Sequence, residues 1–328
     1  MMLKNGPQSR NTHQQVLDWL LEPSNPSVRY RTMTELLDRK KDDVEVVQAR
    51  EQIGSSQMVT QILSKMHPDG YWLQKKPTTN EIVGDGVEYG AYATTHFCLA
   101  YLAELGLDRQ NPQVSSAADR YLKLQKTDGD FYRHLSCLYG HNIRTFILLG
   151  YRQDSRVQKS IDLMLTTERP DGGYLCDLHE GKYKTKVVKS CIRGSVKTLL
   201  AFSELQEYWD HPRCQSLVEY FMKRNVLFRT SDLEKAINHD VTRTSFPITW
   251  RAGLTEMVYA LSKMGYGAND ELNRAWEILD NKRDAKGKYR LDWTPTQALL
   301  KPGKRGEPNK WVTFYALLSK KYESGKAP

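Results

Sequence analysis

Four tight turns recur along the chain in the same local context, and this repeat constrains the fold more than any other feature. Each turn carries a glycine, and an aromatic residue follows one or two positions later. Glycine suits a turn after a helix because it readily adopts positive φ. A recurrence of roughly 50 residues predicts repeated helical hairpins. The turns are residues 68–72, 127–131, 170–174 and 285–289, and a fifth is expected near 245–247.

Two kinds of helix are predicted around these turns. The segment before a turn is amphipathic, and the segment after it is more apolar. In such a pair the apolar helix is expected to be buried and the amphipathic helix to lie outside. The amphipathic segments are 116–125, 156–166, 215–223 and 271–281, and the apolar segments are 93–105, 143–150, 196–205, 254–264 and 311–318.

The links from each apolar segment to the next amphipathic one also repeat. A glycine ends the apolar segment, and an Asp or Asn follows shortly. This order predicts a glycine C-cap followed by an N-cap for the next helix. The glycines are Gly106, Gly150 and Gly265, and the acidic or amide residues are Asn111, Asp154 and Asp270.

These patterns predict an all-α protein in which about five to six hairpins close into an α/α toroid. An open superhelix is the alternative, but aromatic and polar residues at the starts of the apolar segments favour a closed ring around a cavity. We interpret residues 67–328 as the toroid. Residues 1–66 form a HEAT-like helical cap or extension, with helices expected at 32–37, 44–53 and 58–66.

Composition excludes several classes of protein. Of the 328 residues, 39% are hydrophobic, which suffices for a large core and excludes a disordered chain. No run of about 18 apolar residues is present, and residues 1–15 are polar, so neither a membrane span nor a secretion signal is expected. Five cysteines, an odd number, favour reduced thiols in the cytoplasm. The net charge of +9 favours anionic small ligands over nucleic acid.

One turn resembles the repeat of squalene and hopene cyclases and of the β subunits of protein prenyltransferases. The match consists of Tyr121, Leu122, Gln125, Gly129 and Phe131. The segment KWVTFYAL at 310–317 is similar to the end of uncharacterised bacterial proteins with such repeats. The resemblance implies the toroid fold and, by extension, a central cavity for an isoprenoid-type ligand.

The motifs that carry activity in those families are missing. Class II terpene cyclases use a D-x-D-D motif, whereas Asp128 and Asp130 here belong to a turn. Protein prenyltransferases bind zinc with an Asp-x-Cys pair, whereas Cys176 directly precedes Asp177. The resemblance therefore supports the fold and leaves open whether the protein is an enzyme.

A second internal repeat marks a candidate zinc site. Ser-Cys-aliphatic-x-Gly occurs at 136–140 and at 190–194, each time at the start of an apolar segment. Thiolates and imidazoles are ligands that zinc prefers. The alternatives are that the small residues allow close helix packing, with buried cysteines, or that one thiol is a nucleophile. The candidate zinc ligands are Cys137, Cys176, Cys191, His141 and His179.

Basic and aromatic side chains gather at the starts of the inner helices. In a toroid these helix ends face one mouth of the ring, where free N–H groups suit an anion. The alternative is that the aromatic residues belong to the core and the basic residues snorkel. The candidate ligand-binding residues are Tyr89, His96, Arg193, Trp250, Arg251 and Trp311.

Three carboxylates are candidate catalytic residues. Asp85 and Glu88 lie in a glycine-rich loop at 84–90, and Asp177 follows a turn. A flexible loop is the alternative, as is the ordinary preference of Asp for turns. A further loop at 230–245 holds His239 and Asp240 and has the length of a binding loop.

Three functions remain open from these residues. The first is an enzyme-like protein that binds a hydrophobic ligand of isoprenoid type, with or without an anionic group, in the central cavity. A cavity plugged by side chains would exclude this hypothesis. The second is a non-catalytic scaffold for a protein partner. The third is a carbohydrate-active toroid, which requires two carboxylates facing each other across an aromatic-lined cleft.

Overall fold

The computed structural model describes residues 7–76, 78–87, 91–182 and 188–324, without the side chains of 7–11 and 180–182. Helices dominate, and the strands form two short antiparallel hairpins. In the described ranges no helix is long and apolar enough to cross a bilayer.

The elements alternate between an inner and an outer layer. In chain order they are α1 (Pro7–Leu20), α2 (Pro26–Arg31) with a π-helical turn (Thr32–Leu36), α3 (Val44–Gly54), α4 (Gln57–Leu63), β1 (Gln74–Lys75), β2 (Ile82–Val83), α5 (Thr95–Glu104), α6 (Pro112–Leu122), α7 (Ser136–Leu148), α8 (Ser155–Thr166), α9 (Asp177–Lys182), α10 (Ile192–Phe202), α11 (Pro212–Met222), β3 (Phe228–Arg229), β4 (Asp232–Ala236), α12 (Leu254–Lys263), α13 (Asn273–Asp280) and α14 (Lys310–Glu323). Single 3₁₀ turns occur at Gln206–Tyr208 and Asp270–Leu272.

The inner layer is a ring of apolar helices, as the hairpin pattern predicts. Helices α5, α7, α10, α12 and α14 contact one another in that order, and α14 also contacts α2 and its π-helical turn. An ion pair between Arg31 and Glu104 links α2 to α5 and completes the circle. Helices α6, α8, α11 and α13 pack outside their inner partners. The prediction of an α/α toroid is confirmed.

The N-terminal helices share the core of the ring. Val16, Val28 and Ile62 belong to the same hydrophobic cluster as the inner helices. Helix α1 packs on α14, and α4 packs on α5. Whether residues 1–66 act as a separate cap stays a prediction.

The predicted turns have a common structure. After three of the turn glycines, the aromatic side chain donates a hydrogen bond to the end of the preceding helix. Trp72 Nε1 donates to the Ile62 carbonyl at 2.8 Å, and Tyr174 Oη donates to the Met164 carbonyl at 2.7 Å. Tyr289 Oη donates to the Asp280 carboxylate at 2.9 Å. The backbone N–H groups of the same three aromatics donate forward, to Thr95, Ser195 and Thr313 in the first turns of inner helices. Each aromatic therefore fastens an outer helix to the next inner helix.

Helix α7 begins earlier than the sequence predicts. The apolar segment suggests a start near residue 143, but the helix starts at Ser136. Its first turns contain Gly140 and small polar residues, which lower helix propensity. Packing compensates, because nearly all of these residues are buried against α10. The third predicted N-cap also differs, since Asp270 lies inside a 3₁₀ turn, whereas Asn111 and Asp154 cap α6 and α8.

The Ser-Cys-aliphatic-x-Gly repeat is where α7 and α10 approach closely. A Cβ on Gly140 would lie 2.7 Å from backbone atoms of Lys197 and Thr198, and a Cβ on Gly194 would collide with the Ser136 hydroxyl. The structure therefore contains the close packing of α7 on α10 that was one of the alternative interpretations of this repeat.

Charged side chains fill the axis of the ring. Glu104 accepts from Arg31, Arg144 and Tyr315, and Lys197 pairs with Glu256. All of these side chains are buried. A void of 10 Å³ beside Glu256 and Tyr315 has room for about one water molecule. Ion pairs therefore occupy the part of the axis beside this void.

Candidate functional site

A cavity of about 310 Å³ opens at the end of the ring where inner helices begin. Most of its lining is apolar or thiol, with one guanidinium and one imidazole. We call it the mouth pocket. Its lining residues are Leu135, Ser136, Cys137, Cys176, Leu178, His179, Cys191, Arg193 and Trp250.

Two helix starts and one crossing segment build the mouth pocket. Cys137 lies in the first turn of α7, and Cys191 is the N-cap of α10. The segment after the 170–174 turn crosses beside them, because the Cys191 N–H donates to the Tyr174 carbonyl at 2.7 Å. The same turn is fixed by Asp171, which accepts from the Ser190 N–H at 2.9 Å and from its hydroxyl at 2.5 Å. The pocket thus depends on the repeat turn for its shape.

Cations and aromatic rings alternate along one side of the mouth pocket. The Arg193 guanidinium lies 4.2 Å from the centre of the Trp250 ring, and the Arg251 guanidinium lies 5.1 Å from the same ring. Tyr92 stacks parallel to Trp250 at 6.4 Å, and Trp293 lies 4.6 Å from the Arg251 guanidinium. Cation–π contacts hold a guanidinium over a ring without using up its N–H donors.

A buried carboxylate orients these cations. Asp240 is 5% exposed and accepts two hydrogen bonds from Arg251 Nη1, at 2.7 and 2.9 Å. Arg193 reaches the same carboxylate only at 3.7 Å, and its side chain is 40% exposed. Arg251 is therefore held by Asp240, whereas Arg193 keeps donors that an anion entering the pocket can use.

Three of the five thiols line the mouth pocket. Cys176 Sγ lies 3.6 Å from His179 Nδ1. Burial raises the pKa of the Cys176 thiol, although backbone N–H groups of Leu178 and His179 oppose this effect. Within the ranges that the structure describes, no three His, Cys, Asp or Glu side chains are grouped closely enough to hold a metal ion. Cys137, Cys176, Cys191 and His179 thus meet at one pocket, and their role as zinc ligands stays a prediction.

His141 and His96 lie away from the mouth pocket. Both are buried in the core between α5 and α7, with their ring centres 6.2 Å apart. Burial lowers the pKa of His96 to about 3, and burial together with His96 lowers the pKa of His141 well below its ordinary value. Both histidines are neutral core residues at neutral pH.

The other predicted site residues are dispersed. Trp311 is fully buried and stacks on Phe246 at 4.5 Å, so it belongs to the core. Asp85 and Asp177 are exposed, in the loop after β2 and at the start of α9. Glu88 and Tyr89 lie outside the described residues. Arg193, Trp250 and Arg251 are the predicted ligand-binding residues that the structure brings together.

Acid is expected to destabilise the protein through the two buried histidines. The unfolded chain takes up their protons near pH 6.5, whereas folded His96 stays neutral down to about pH 3. The unfolded state then binds more protons, so the free energy of unfolding falls as the pH decreases below about 6.5, by about 1.4 kcal/mol per pH unit for each histidine. Urea titrations between about pH 6.5 and 5 should show a slope that His96→Phe reduces by about one proton. The exposed His13→Gln serves as the control, and an unchanged slope in His96→Phe would contradict the assignment.

A second cavity, of about 340 Å³, opens at the opposite end of the ring. Six of its seven charged lining residues pair with one another: Arg31 with Glu35, Arg50 with Asp108, and Lys263 with Glu204, each at 2.6 Å. Because these charges are already neutralised within the protein, the mouth pocket is the stronger candidate for a charged ligand.

Tyr92, Trp293 and the pocket-lining Leu135 and Leu178 were not predicted from the sequence. Tyr92 directly precedes the predicted inner segment 93–105, so its position at a helix start was a usable signal. Trp293 follows the turn at 285–289 and lies in the loop between α13 and α14. The path of this loop brings Trp293 beside Arg251. No periodicity in the sequence indicates that path.

Comparison with known proteins identifies the fold. No protein-family model matches the chain, and no curated protein matches it by sequence. Among solved structures, a glycosyl hydrolase family 88 protein from Bacteroides vulgatus is 14% identical, with a TM-score of 0.51 over 95% of this chain and 98% of that one. A polysaccharide lyase is 13% identical, with a TM-score of 0.51 over 95% of this chain and 97% of that one.

A type II terpene cyclase, MstE from Scytonema, also matches, with 14% identity and a TM-score of 0.35 over 83% of this chain and 97% of that one. At such low identities these similarities describe architecture alone. The chain shares the α/α toroid fold with the glycosyl hydrolase family 88 protein and the polysaccharide lyase.

Proposed function

We propose that the protein binds a compact small molecule, with an anionic group and a flat or apolar body, in the mouth pocket. The observation that carries this proposal is the position of Arg193 over Trp250, at the rim of a cavity whose other walls are mostly apolar. The anionic group would pair with the Arg193 guanidinium. The body of the ligand would lie against Trp250 and Leu135.

The size of the cavity favours a compact ligand over a long isoprenoid chain. A volume of about 310 Å³ lies at the low end of small-molecule sites. A longer chain would have to extend along the ring axis, where Lys197, Glu256, Glu104 and Arg144 are packed in ion pairs. An anion bound beside Arg193 would also lie near the N-terminus of α10, whose dipole favours negative charge.

A carbohydrate is the second candidate ligand. Trp250 lines the mouth pocket, with Tyr92 and Trp293 beside it, and sugar rings pack against aromatic side chains. Two proteins of similar fold carry the descriptions glycosyl hydrolase and polysaccharide lyase. Hydrolysis by a carboxylate pair needs two facing acids, and among its described lining residues the mouth pocket has none. We therefore place binding of a small anion before sugar hydrolysis.

Replacing Arg193 by glutamine is expected to weaken binding of aromatic anions about tenfold, because a charge-assisted hydrogen bond is lost. Benzoate and phenyl phosphate serve as probes, and benzamide is the neutral counterpart of benzoate. Thermal shift followed by calorimetry would measure the dissociation constants. Wild-type protein should prefer the anions to benzamide, and this preference should disappear in Arg193→Gln.

Arg152→Gln is the matched control. The Arg152 side chain is 39% exposed and pairs with Glu207. Arg193 is equally exposed, at 40%, and lies 3.7 Å from Asp240. Arg152 follows the opposite end of α7, away from the mouth pocket. We expect no change in binding from this variant. Geranyl diphosphate and glucose in the same assay test the other ligand classes. Stronger stabilisation by glucose than by either aromatic anion, or equal losses in the two arginine variants, would refute the proposal.

A further inference from the structure

We infer that the second cavity, at the opposite end of the ring from the mouth pocket, binds a neutral cyclic polyol, the class of compounds that includes inositols and sugars. The inference goes beyond the proposed function, since no residue lines both cavities. It assigns a separate binding site to this end of the ring and names the chemical class of its ligand.

The second cavity lies where the inner helices end. Lys263 is the last residue of α12, Leu148 is the last residue of α7, and Gly106 follows the end of α5. The mouth pocket lies instead at the starts of α7 and α10. A volume of about 340 Å³ is within the range of small-molecule sites. The second cavity can therefore take a ligand of its own.

The charges in the second cavity argue against both an ionic and an apolar ligand. Six of its seven charged residues are already paired, and the seventh, Lys41, is exposed. An ionic ligand would have to compete with these ion pairs, and an apolar ligand would take water away from them at a cost in free energy. A neutral ligand with many hydrogen-bonding groups avoids both costs.

Arg50 and Asp108 keep hydrogen-bonding groups available for such a ligand. Arg50 Nη2 donates to Asp108 Oδ2 at 2.6 Å, and within the described part of the chain no other hydrogen bond of this guanidinium is formed. Its other N–H groups remain available as donors. Gly106 makes room for them, since a Cβ there would lie 3.3 Å from Arg50 Nη1. The pair also lines an adjoining cavity of about 200 Å³, so solvent and ligand reach it from two sides.

Glu204 supplies an acceptor in the same cavity. Its Oε2 accepts from Lys263 at 2.6 Å, whereas Oε1 has two long contacts, with Tyr259 Oη and Arg144 Nε, at 3.5 Å each. These distances are at the limit of a hydrogen bond, so Oε1 can accept from a ligand hydroxyl without losing a strong partner. Because a hydroxyl both donates and accepts, a ring with several hydroxyls can donate to Glu204 and accept from Arg50.

Two carbon rings of the same size that differ in their hydroxyl groups test this inference. myo-Inositol is neutral and has a hydroxyl on every ring carbon, and cyclohexanol has a single hydroxyl. Titrations of the full-length protein followed by saturation-transfer NMR give both dissociation constants. Thermal shift is unsuitable here, because polyols excluded from the surface stabilise folded proteins without binding. We expect myo-inositol to bind about tenfold more tightly than cyclohexanol.

Arg50→Gln is expected to weaken myo-inositol binding about tenfold, because hydrogen bonds to a charged group are lost. Arg39→Gln is the matched control, since the Arg39 side chain is 30% exposed and pairs with Asp43 but lines neither cavity, whereas Arg50 is 35% exposed. Surface ion pairs contribute little to stability, so both variants should fold. Leu148→Trp, at a half-buried position of the lining, should fill the cavity and block binding.

Failure of this inference and failure of the proposed function give different results. Equal affinities for the two rings, equal losses in Arg50→Gln and Arg39→Gln, or full binding by folded Leu148→Trp overturn the inference. Loss of myo-inositol binding in Arg193→Gln would place the polyol in the mouth pocket and also overturn it. Binding that depends on Arg50 and not on Arg193 supports the inference, even in a protein that binds neither benzoate nor phenyl phosphate. Glucose held in the second cavity should follow the same variants.

Discussion

Replacing Glu104 by glutamine is expected to destabilise the protein by about 3–5 kcal/mol, the cost of removing one carboxylate from a buried group of ion pairs. Glu104 is 2% exposed and accepts from Arg31, Arg144 and Tyr315. Burial alone would raise its pKa, but Arg144 and Arg31 hold the pKa of this carboxyl below its ordinary value. The neutral amide would leave both guanidiniums without this carboxylate in the interior.

The matched control for this substitution is Glu207→Gln. Glu207 also pairs with an arginine, Arg152, but its side chain is 41% exposed. Surface ion pairs contribute about 0–1 kcal/mol, so this variant should be nearly as stable as wild type. Urea denaturation at neutral pH would measure both free energies of unfolding. Equal, small losses in the two variants would mean that the axial ion pairs are hydrated rather than buried.

The fold was largely predictable because the signals that define it are local. A turn glycine and the aromatic after it specify the corner between two helices. The structure adds the reason for the aromatic: Tyr174, for example, bonds back to Met164 and forward to Ser195. Asn111 and Asp154 cap the helices they were predicted to cap. Each of these contacts joins residues that are near one another in the sequence.

The site was predictable only in part because it depends on how each helix is rotated. Trp250 and Trp311 both lie near the start of an inner helix. Trp250 precedes α12 in a loop and lines the mouth pocket, whereas Trp311 is the second residue of α14 and turns into the core. A change of position by a few residues rotates a side chain to another face of the helix. The sequence alone therefore does not distinguish the two tryptophans.

The charges in the apolar segments were visible, but their partners were not. Glu104, Arg144, Lys197 and Glu256 interrupt helices that are otherwise apolar. Arg144 pairs with Glu104, which is 40 positions away, and Lys197 pairs with Glu256, which is 59 positions away. These pairs form only when neighbouring inner helices are aligned along the ring axis. Isolated buried charges are costly, so their presence indicated pairing in principle. That pairing occupies the axis where a ligand cavity was predicted.

Replacing Gly140 by alanine is expected to destabilise the protein by about 1–3 kcal/mol, the usual range for overpacking. The new Cβ would lie 2.7 Å from the backbone of Lys197 and Thr198, and a backbone cannot move aside as a side chain can. Helices α7 and α10 would have to separate. Because Cys137 and Cys191 lie at the starts of these helices, the mouth pocket would change shape as well.

Two further glycine variants test this account. Gly54→Ala, at the end of α3, meets nothing within 4 Å and should be neutral or stabilising by up to about 1 kcal/mol. Gly194→Ala would collide with the Ser136 hydroxyl, a side-chain atom, so the added Ser136→Ala should recover most of the lost stability. No such rescue exists for Gly140→Ala, since its clash is with backbone. Thermal denaturation of the four proteins would measure these differences, and a Gly140→Ala variant as stable as Gly54→Ala would show that α7 and α10 are not in close contact.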